Sequence, residues 1–245
     1  MDVRVIRNAA SRTVRDDSAY YSLPAADGET FKKFKRDFLF PMRKNLSRSL
    51  RSLVSQGAGS MLEIGPGEGD GADIAIKEGV RSISMVEIRP STVSALAKKY
   101  QRMSGDSELT IFQGDVRDTL PVTKPKSVDV GVVFDNTLSN MQEPKGPSGL
   151  GRKDFRAFVL SQLMRISRLS VLVGLSSTLL TPLYLDLGEG IIRETSPDGK
   201  ISIFKSGIVT QRYDEADIVS LLTTLRAANF SVRMDRGIYW VEIKP

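Results

Sequence analysis

The sequence predicts an α/β protein, a single doubly wound and mostly parallel sheet with helices on both faces. Three observations carry that expectation. From Gly59 onward short apolar segments alternate with amphipathic ones at helical spacing, the pattern of strand–helix–strand units whose sheet is buried on both sides. The first strand runs straight into a glycine-rich turn, Gly65-Pro-Gly67-Glu-Gly69, which opens a helix. The last two apolar segments, Phe230–Met234 and Ile238–Ile243, are joined by Asp-Arg-Gly, a link that suits an antiparallel pair.

The elements follow in order. Residues 1–28 are polar and read as irregular. A helical period begins at Glu29, with Phe31, Phe34, Phe38, Met42, Leu46, Leu50 and Leu53 spaced by three and four, and Pro41 is expected to break or restart it. Residues 1–58 therefore read as an N-terminal helical extension or lid, and residues 59–245 as the main domain. Strands are expected at Ser60–Ile64, Ser82–Glu87, Leu109–Gln113, Val128–Phe134 and Ser170–Gly174, with helices between them at Gly71–Glu78, Pro90–Met103 and Lys153–Ser167. Ile191–Thr195 and Lys200–Lys205 flank Ser-Pro-Asp-Gly and read as a hairpin. A helix at Glu215–Ala228 precedes the closing strand pair.

Composition removes whole classes of chemistry. Of 245 residues none is cysteine or histidine. No disulfide, thiolate nucleophile or Cys/His zinc site can be built, so no metal is expected. Any general base must be Asp, Glu, Lys or Tyr. No apolar run reaches the roughly 18 residues of a membrane span, so a cytoplasmic protein without a membrane partner is expected. The net charge of +6 arises within residues 1–52, where twelve Lys/Arg face six Asp/Glu. Such an arm could touch nucleic acid. Its charges are interleaved with the apolar stripe, which favours a solvated helix face instead.

Three acids surround the glycine turn. Glu63 lies inside the first strand, two residues before Gly65, where a dinucleotide enzyme usually has an apolar residue. Glu87 ends the second strand, where its oxygens could accept from two ribose hydroxyls. Asp115 follows the third strand in Gly-Asp-Val, a position for a carboxylate facing an adenine amino group. A glycine turn alone fits a ligand-free strand-to-helix corner or dinucleotide binding equally well. Three acids at consecutive strand ends beside that turn make a nucleoside ligand the better reading.

The stretch from Leu62 to Phe134 resembles the cofactor half of class I S-adenosylmethionine methyltransferases. Glu63-Ile-Gly-Pro-Gly-Glu-Gly69 is similar to their first motif, Val86-Glu-Ile88 to the ribose acid, Gly114-Asp-Val116 to the adenine contact and Asp129-Val-Gly-Val-Val-Phe-Asp-Asn136 to the fourth motif. The resemblance extends over most of residues 59–245 and implies a seven-stranded sheet whose last strand is antiparallel. It implies S-adenosyl-L-methionine as cofactor. Glu63 with the backbone of Gly65, Pro66, Gly67 and Gly69 would hold the methionine moiety, Glu87 the ribose, and Ile88, Asp115 and Val116 the adenine. Asp70 follows the turn and cannot neutralise the cofactor carboxylate, so backbone amides or a basic residue of the N-terminal arm must do so.

Asp135 and Asn136 would face the methyl acceptor as the catalytic pair. The resemblance implies in-line N-methylation of a small molecule or a protein side chain. Two other readings compete: an aminopropyltransferase of the spermidine synthase type, whose second catalytic acid and proline are missing after Phe134-Asp-Asn136, and a non-catalytic RNA- or protein-binding module that keeps the fold.

Overall fold

The computed structural model describes residues 1–7, 28–134, 137–140, 152–185, 192–204 and 209–245. The β-branched segments pair into one eight-stranded sheet. It is built from β1 (Asp2–Arg7), β2 (Ser60–Ile64), β3 (Ser82–Glu87), β4 (Glu108–Gln113), β5 (Val128–Val133), β6 (Ser167–Ser176), β10 (Asn229–Asp235) and β11 (Ile238–Lys244). Their order is β1-β4-β3-β2-β5-β6-β11-β10. All neighbours from β1 to β6 are parallel, and β11 runs against both β6 and β10. The strand order reverses between β2 and β5, which opens a crevice at the C-terminal ends of those strands.

The helices between the strands are α1 (Gly28–Ser55), α2 (Asp70–Lys77), α3 (Pro90–Gln101), α4 (Val116–Thr119), α5 (Thr137–Asn140), α6 (Arg152–Ile166), α7 (Thr181–Leu185) and α8 (Glu215–Thr224). Two apolar clusters mark the two covered faces. On one, Leu39, Met42, Leu46 and Leu50 of α1 join Ala72, Val93 and Leu96 over Met61, Ile83 and Trp240. On the other, Leu160 and Leu163 of α6 join Ile218, Leu221 and Leu222 of α8 over Val171, Val173 and Val241.

Three expectations need correction. Residues 2–7 are not irregular: they form β1, an edge strand in parallel register with β4 from Asp2↔Glu108 to Arg7↔Gln113. This is the eighth strand of a sheet expected to have seven. Five of its six residues are exposed and two of them are Arg, because an edge strand buries little, so the alternation that marks a strand is weak.

Pro41 does not divide the N-terminal helix, which is continuous through it. Buried residues stand on both sides of Pro41, Leu39 and Met42 among them, and the Asn45 amide donates to the Pro41 carbonyl at 2.8 Å. Packing along one face thus outweighs the single hydrogen bond a proline removes. Met42 lies against Gly174 of β6, where an added Cβ would come within 3.4 Å of its sulfur, and the indole N–H of Trp240 donates to Ser49 at 3.1 Å.

The expected hairpin gains a third strand. β7 (Ile192–Thr195), β8 (Ile201–Phe204) and β9 (Val209–Gln211) form a separate antiparallel sheet. It is tied to the main sheet by a bridge between Ser177 and Tyr213, and Ile192 and Phe204 share the α1 cluster.

Asp129 opens β5 at the end of the sheet opposite the glycine turn. It accepts from Gly59 N–H (2.9 Å), Ser60 N–H (3.0 Å), the Ser60 hydroxyl (2.9 Å) and Arg168 Nε (2.9 Å), joining the starts of β2, β5 and β6. Burial alone would raise its pKa. Hydrogen bonds from Gly59 and Ser60, with the Arg168 charge, outweigh burial and hold it below the ordinary 3.8. With the folded pKa depressed, this stabilisation is complete above that value and is lost as pH falls through the folded one. Asp129→Ala is expected to cost about 2–3 kcal/mol in denaturant unfolding at pH 7. The gap to wild type should narrow below pH 4; a gap independent of pH would assign the loss to packing instead.

Candidate functional site

The turn between β2 and α2 follows a path few side chains tolerate. Gly65, Gly67 and Gly69 have φ of +64°, +54° and +86°. The Gly65 N–H donates to Val86 O at 2.9 Å, and Gly69 N–H donates to Pro66 O at 2.8 Å, closing the turn. Gly69 is the N-cap of α2. Neighbours crowd the loop. The Thr137 hydroxyl donates to Gly65 O at 2.9 Å, and a Cβ on Gly65 would clash with that threonine. The Tyr100 hydroxyl donates to Gly69 O at 2.8 Å and to Asp73 Oδ1 at 3.0 Å. Lys99 Nζ donates to Glu68 O at 2.8 Å and pairs with Asp73 at 2.6 Å. Burial, then the Asp73 charge, push the Tyr100 pKa far up, so this phenol stays protonated and donates.

Glu63 lies beneath the loop, fully buried in β2. Its carboxylate rests on the first turn of α2: a Cβ on Gly71 would lie 2.7 Å from the Glu63 carboxyl carbon. Only glycine permits this approach, which sets the acid beside the positive end of the helix. Directly before Gly71, Asp70 is reached by Arg43 of α1 at 2.7 Å.

Glu87 and Asp115 complete the edge. Glu87 is the last residue of β3 and 3% exposed; its Oε1 accepts from Arg89 N–H at 2.9 Å, and Arg89 Nε lies 3.6 Å away. Ile88 follows it, half-buried. Asp115 is the N-cap of α4, accepting from Arg117 N–H at 2.8 Å, and the Arg117 guanidinium grips both carboxylate oxygens, Nε at 2.9 Å and 3.0 Å. Val116 opens α4 and packs toward the α6 face. All nine cofactor-site candidates thus stand at the C-terminal ends of three adjacent strands, β2, β3 and β4, or directly beyond them. Asp135 and Asn136 lie outside the described residues. Their flanks are Phe134, buried at the end of β5, and Thr137 on the glycine loop.

Several organising side chains have no local signature. Tyr100 and Lys99 meet the loop from 31 residues away. Arg156, buried in α6, donates to the Leu138 carbonyl at 3.0 Å, bonds Gln211 of β9 and stacks 5.6 Å from the Tyr213 ring centroid. It joins the segment after β5 to the small sheet. Arg117 was legible in part, since an arginine two residues after an N-cap aspartate is within its reach.

No protein-family model matches the chain, and no curated protein matches it in sequence. Solved structures do match in shape. The magnesium protoporphyrin IX methyltransferase of Synechocystis PCC 6803 with bound SAH superposes with a TM-score of 0.57 at 13% identity, over 92% of this chain and 97% of that one. The 1,6-didemethyltoxoflavin-N1-methyltransferase of Burkholderia thailandensis, with its substrate and S-adenosylhomocysteine (SAH), gives 0.52 at 15% identity over 96% and 95%. An O-methyltransferase family protein from Burkholderia thailandensis gives 0.58 at 10% identity over 95% of this chain and 63% of that one. The fold is therefore that of the S-adenosylmethionine-dependent methyltransferases.

Burial pushes the Glu87 pKa up, and the hydrogen bond and charge of Arg89 offset this only in part. A raised carboxyl pKa contributes stability that is complete below the ordinary 4.5 and is lost as pH rises through the folded value. Glu87→Gln is therefore expected to raise Tm at pH 7 by about 2–4 °C, the shift that roughly 1 kcal/mol produces in a chain of this length. The difference should close toward pH 4. A lower Tm for Glu87→Gln at pH 7 would show that the carboxylate stabilises the empty fold.

Proposed function

We propose that the protein is an S-adenosyl-L-methionine-dependent methyltransferase that methylates a nitrogen of a small molecule or a protein side chain. The observation that carries this reading is the left-handed glycine loop with Glu63, Glu87 and Asp115 arrayed around one end of three adjacent strands, on a methyltransferase fold. The residues fit such a cofactor. Glycines bring the loop backbone to the surface of the crevice, and α2 begins there, so N–H groups are presented to an anionic group. Glu87, buried with a raised pKa, gains from accepting two ribose hydroxyls that replace lost water. Ile88 and Val116 supply apolar faces for an adenine.

Asp115 is already gripped by Arg117. Arg117 fixes the direction of this carboxylate, and an adenine amino group would share it with that arginine. Glu63 acts from below, through Gly71, on the turn that carries the methionine end. When bound, the sulfonium supplies an electrophilic methyl group. The protein then has to align the acceptor with it and exclude water. Asp135 and Asn136 are proposed to do this, Asn136 orienting the acceptor nitrogen and Asp135 taking its proton. Neighbours in shape act on small molecules, which supports a small acceptor.

Calorimetry with SAH, decarboxylated S-adenosylmethionine and NAD tests the assignment. SAH should bind the wild type, and NAD should not. Glu87→Ala should weaken SAH by about tenfold or more, the equivalent of one lost charge-assisted contact. NAD binding, or SAH affinity unchanged in Glu87→Ala, would sink it.

A further inference from the structure

The two edges of the main sheet are guarded unequally. β1 bounds it on one side and β10 on the other. Side chains alternate across a strand, so each edge presents two rows. In β1 both rows carry charge, Asp2 and Arg4 in one and Arg7 in the other. In β10 the row of Phe230, Val232 and Met234 carries none, and these side chains are 49%, 37% and 46% exposed. They stand opposite Ile243, Val241 and Tyr239 of β11, so they continue the apolar surface shared with α6 and α8 past the last covered strand. β10 holds neither proline nor lysine, and its register with β11 is unbroken from Asn229↔Lys244 to Asp235↔Ile238. Proline, lysine and bulges are the devices that keep an edge from pairing. Among the described residues no strand pairs with the outer side of β10.

We propose that β10 pairs antiparallel with β10 of a second copy of this chain, about a two-fold axis at Val232, joining two eight-stranded sheets into one. The strand is complementary to itself in that register. Phe230 meets Met234 in both directions and Val232 meets Val232, so the two uncharged rows close into one apolar stripe. On the other face Ser231 meets Arg233 and Asn229 meets Asp235. Each charged group thus faces an uncharged one of matching hydrogen-bond capacity, hydroxyl to guanidinium and amide to carboxylate. Moving the axis to Ser231 or Arg233 leaves five strand residues paired instead of seven, and at Arg233 it sets two guanidinium groups opposite each other. The seven-residue ladder makes about six to eight main-chain hydrogen bonds over a small area, which suits association in the micromolar range. The axis stands normal to the sheet, so the two glycine-loop crevices open at opposite edges and neither copy enters the other's site. The pairing does not depend on the cofactor reading above.

Sedimentation velocity on the full chain between about 1 and 100 µM reads the association. Wild type should pass from monomer toward dimer over that range. Val232→Arg, which opposes two like charges on the axis, should weaken the dimer by about tenfold or more. The chain has no cysteine, so introduced cysteines report the register. Under diamide, Val232→Cys should form a disulfide-linked dimer, because opposed residues stand about 4.5–5.5 Å apart, within disulfide reach. Phe230→Cys alone and Met234→Cys alone should stay monomeric on denaturing gels, and the two mixed should cross-link. The cysteine variants change exposed side chains and keep the edge backbone, so they test the pairing even where Val232→Arg unfolds. A wild type that stays monomeric to about 100 µM overturns the proposal, as does a dimer that folded Val232→Arg leaves intact. Phe230→Cys linking to itself as fast as Val232→Cys also overturns it, since that is the outcome of random collision or of another register.

Discussion

The close approach of backbone to side chain between Ile64 and Ala72 is the constraint on which the rest of the crevice depends. Three glycines take left-handed φ, and at a fourth, Gly71, the absent Cβ makes room for the Glu63 carboxylate. A side chain at Gly65 would meet Thr137, and one at Gly69 would meet Tyr100 and Leu96. The loop is held by hydrogen bonds from α3 and from the segment after β5, so its shape is imposed from both sides. Such over-determination holds the turn in one shape.

Electrostatics along this edge come at some expense to the fold. Glu87 is buried where its ionised form is penalised, and Asp70 keeps a buried oxygen unpartnered among the described residues. Asp129, at the opposite end of the sheet, is fully hydrogen-bonded and depressed in pKa. The contrast separates a site from a structural joint. Asp129 at the strand starts is stabilised in its ionised form, and Glu87 at the strand ends is penalised in it. The basic excess of the N-terminal segment has a similar resolution: within α1, Arg43 and Arg51 are committed to Asp70 and Glu78 of α2. That leaves less of it for a nucleic acid.

The small sheet and α1 share one apolar cluster. Ile192 and Phe204 share a cluster with buried residues of α1, and Arg156 connects α6, α5 and β9. These contacts tie the N-terminal helix and the insertion after β6 to the main sheet.

What the sequence by itself determined is what local patterns encode. Strand and helix periods gave β2 to β6 and the helices between them, because burial on two faces leaves a repeated apolar signature. The glycine spacing and the acids at strand ends marked the crevice, because a turn with positive φ and a carboxylate beside it are written in consecutive residues. Tertiary structure alone decided the rest. β1 became a strand because β4 offered an open edge, and its Arg-rich residues carry little sign of that. Pro41 stayed within one helix because buried residues on both sides of it outweigh one missing hydrogen bond. Tyr100 on Gly69, Arg156 on Leu138 and Arg43 on Asp70 join residues 18 to 31 positions apart. No local spacing rule reaches that far, and only the folded chain brings those charges and hydroxyls together.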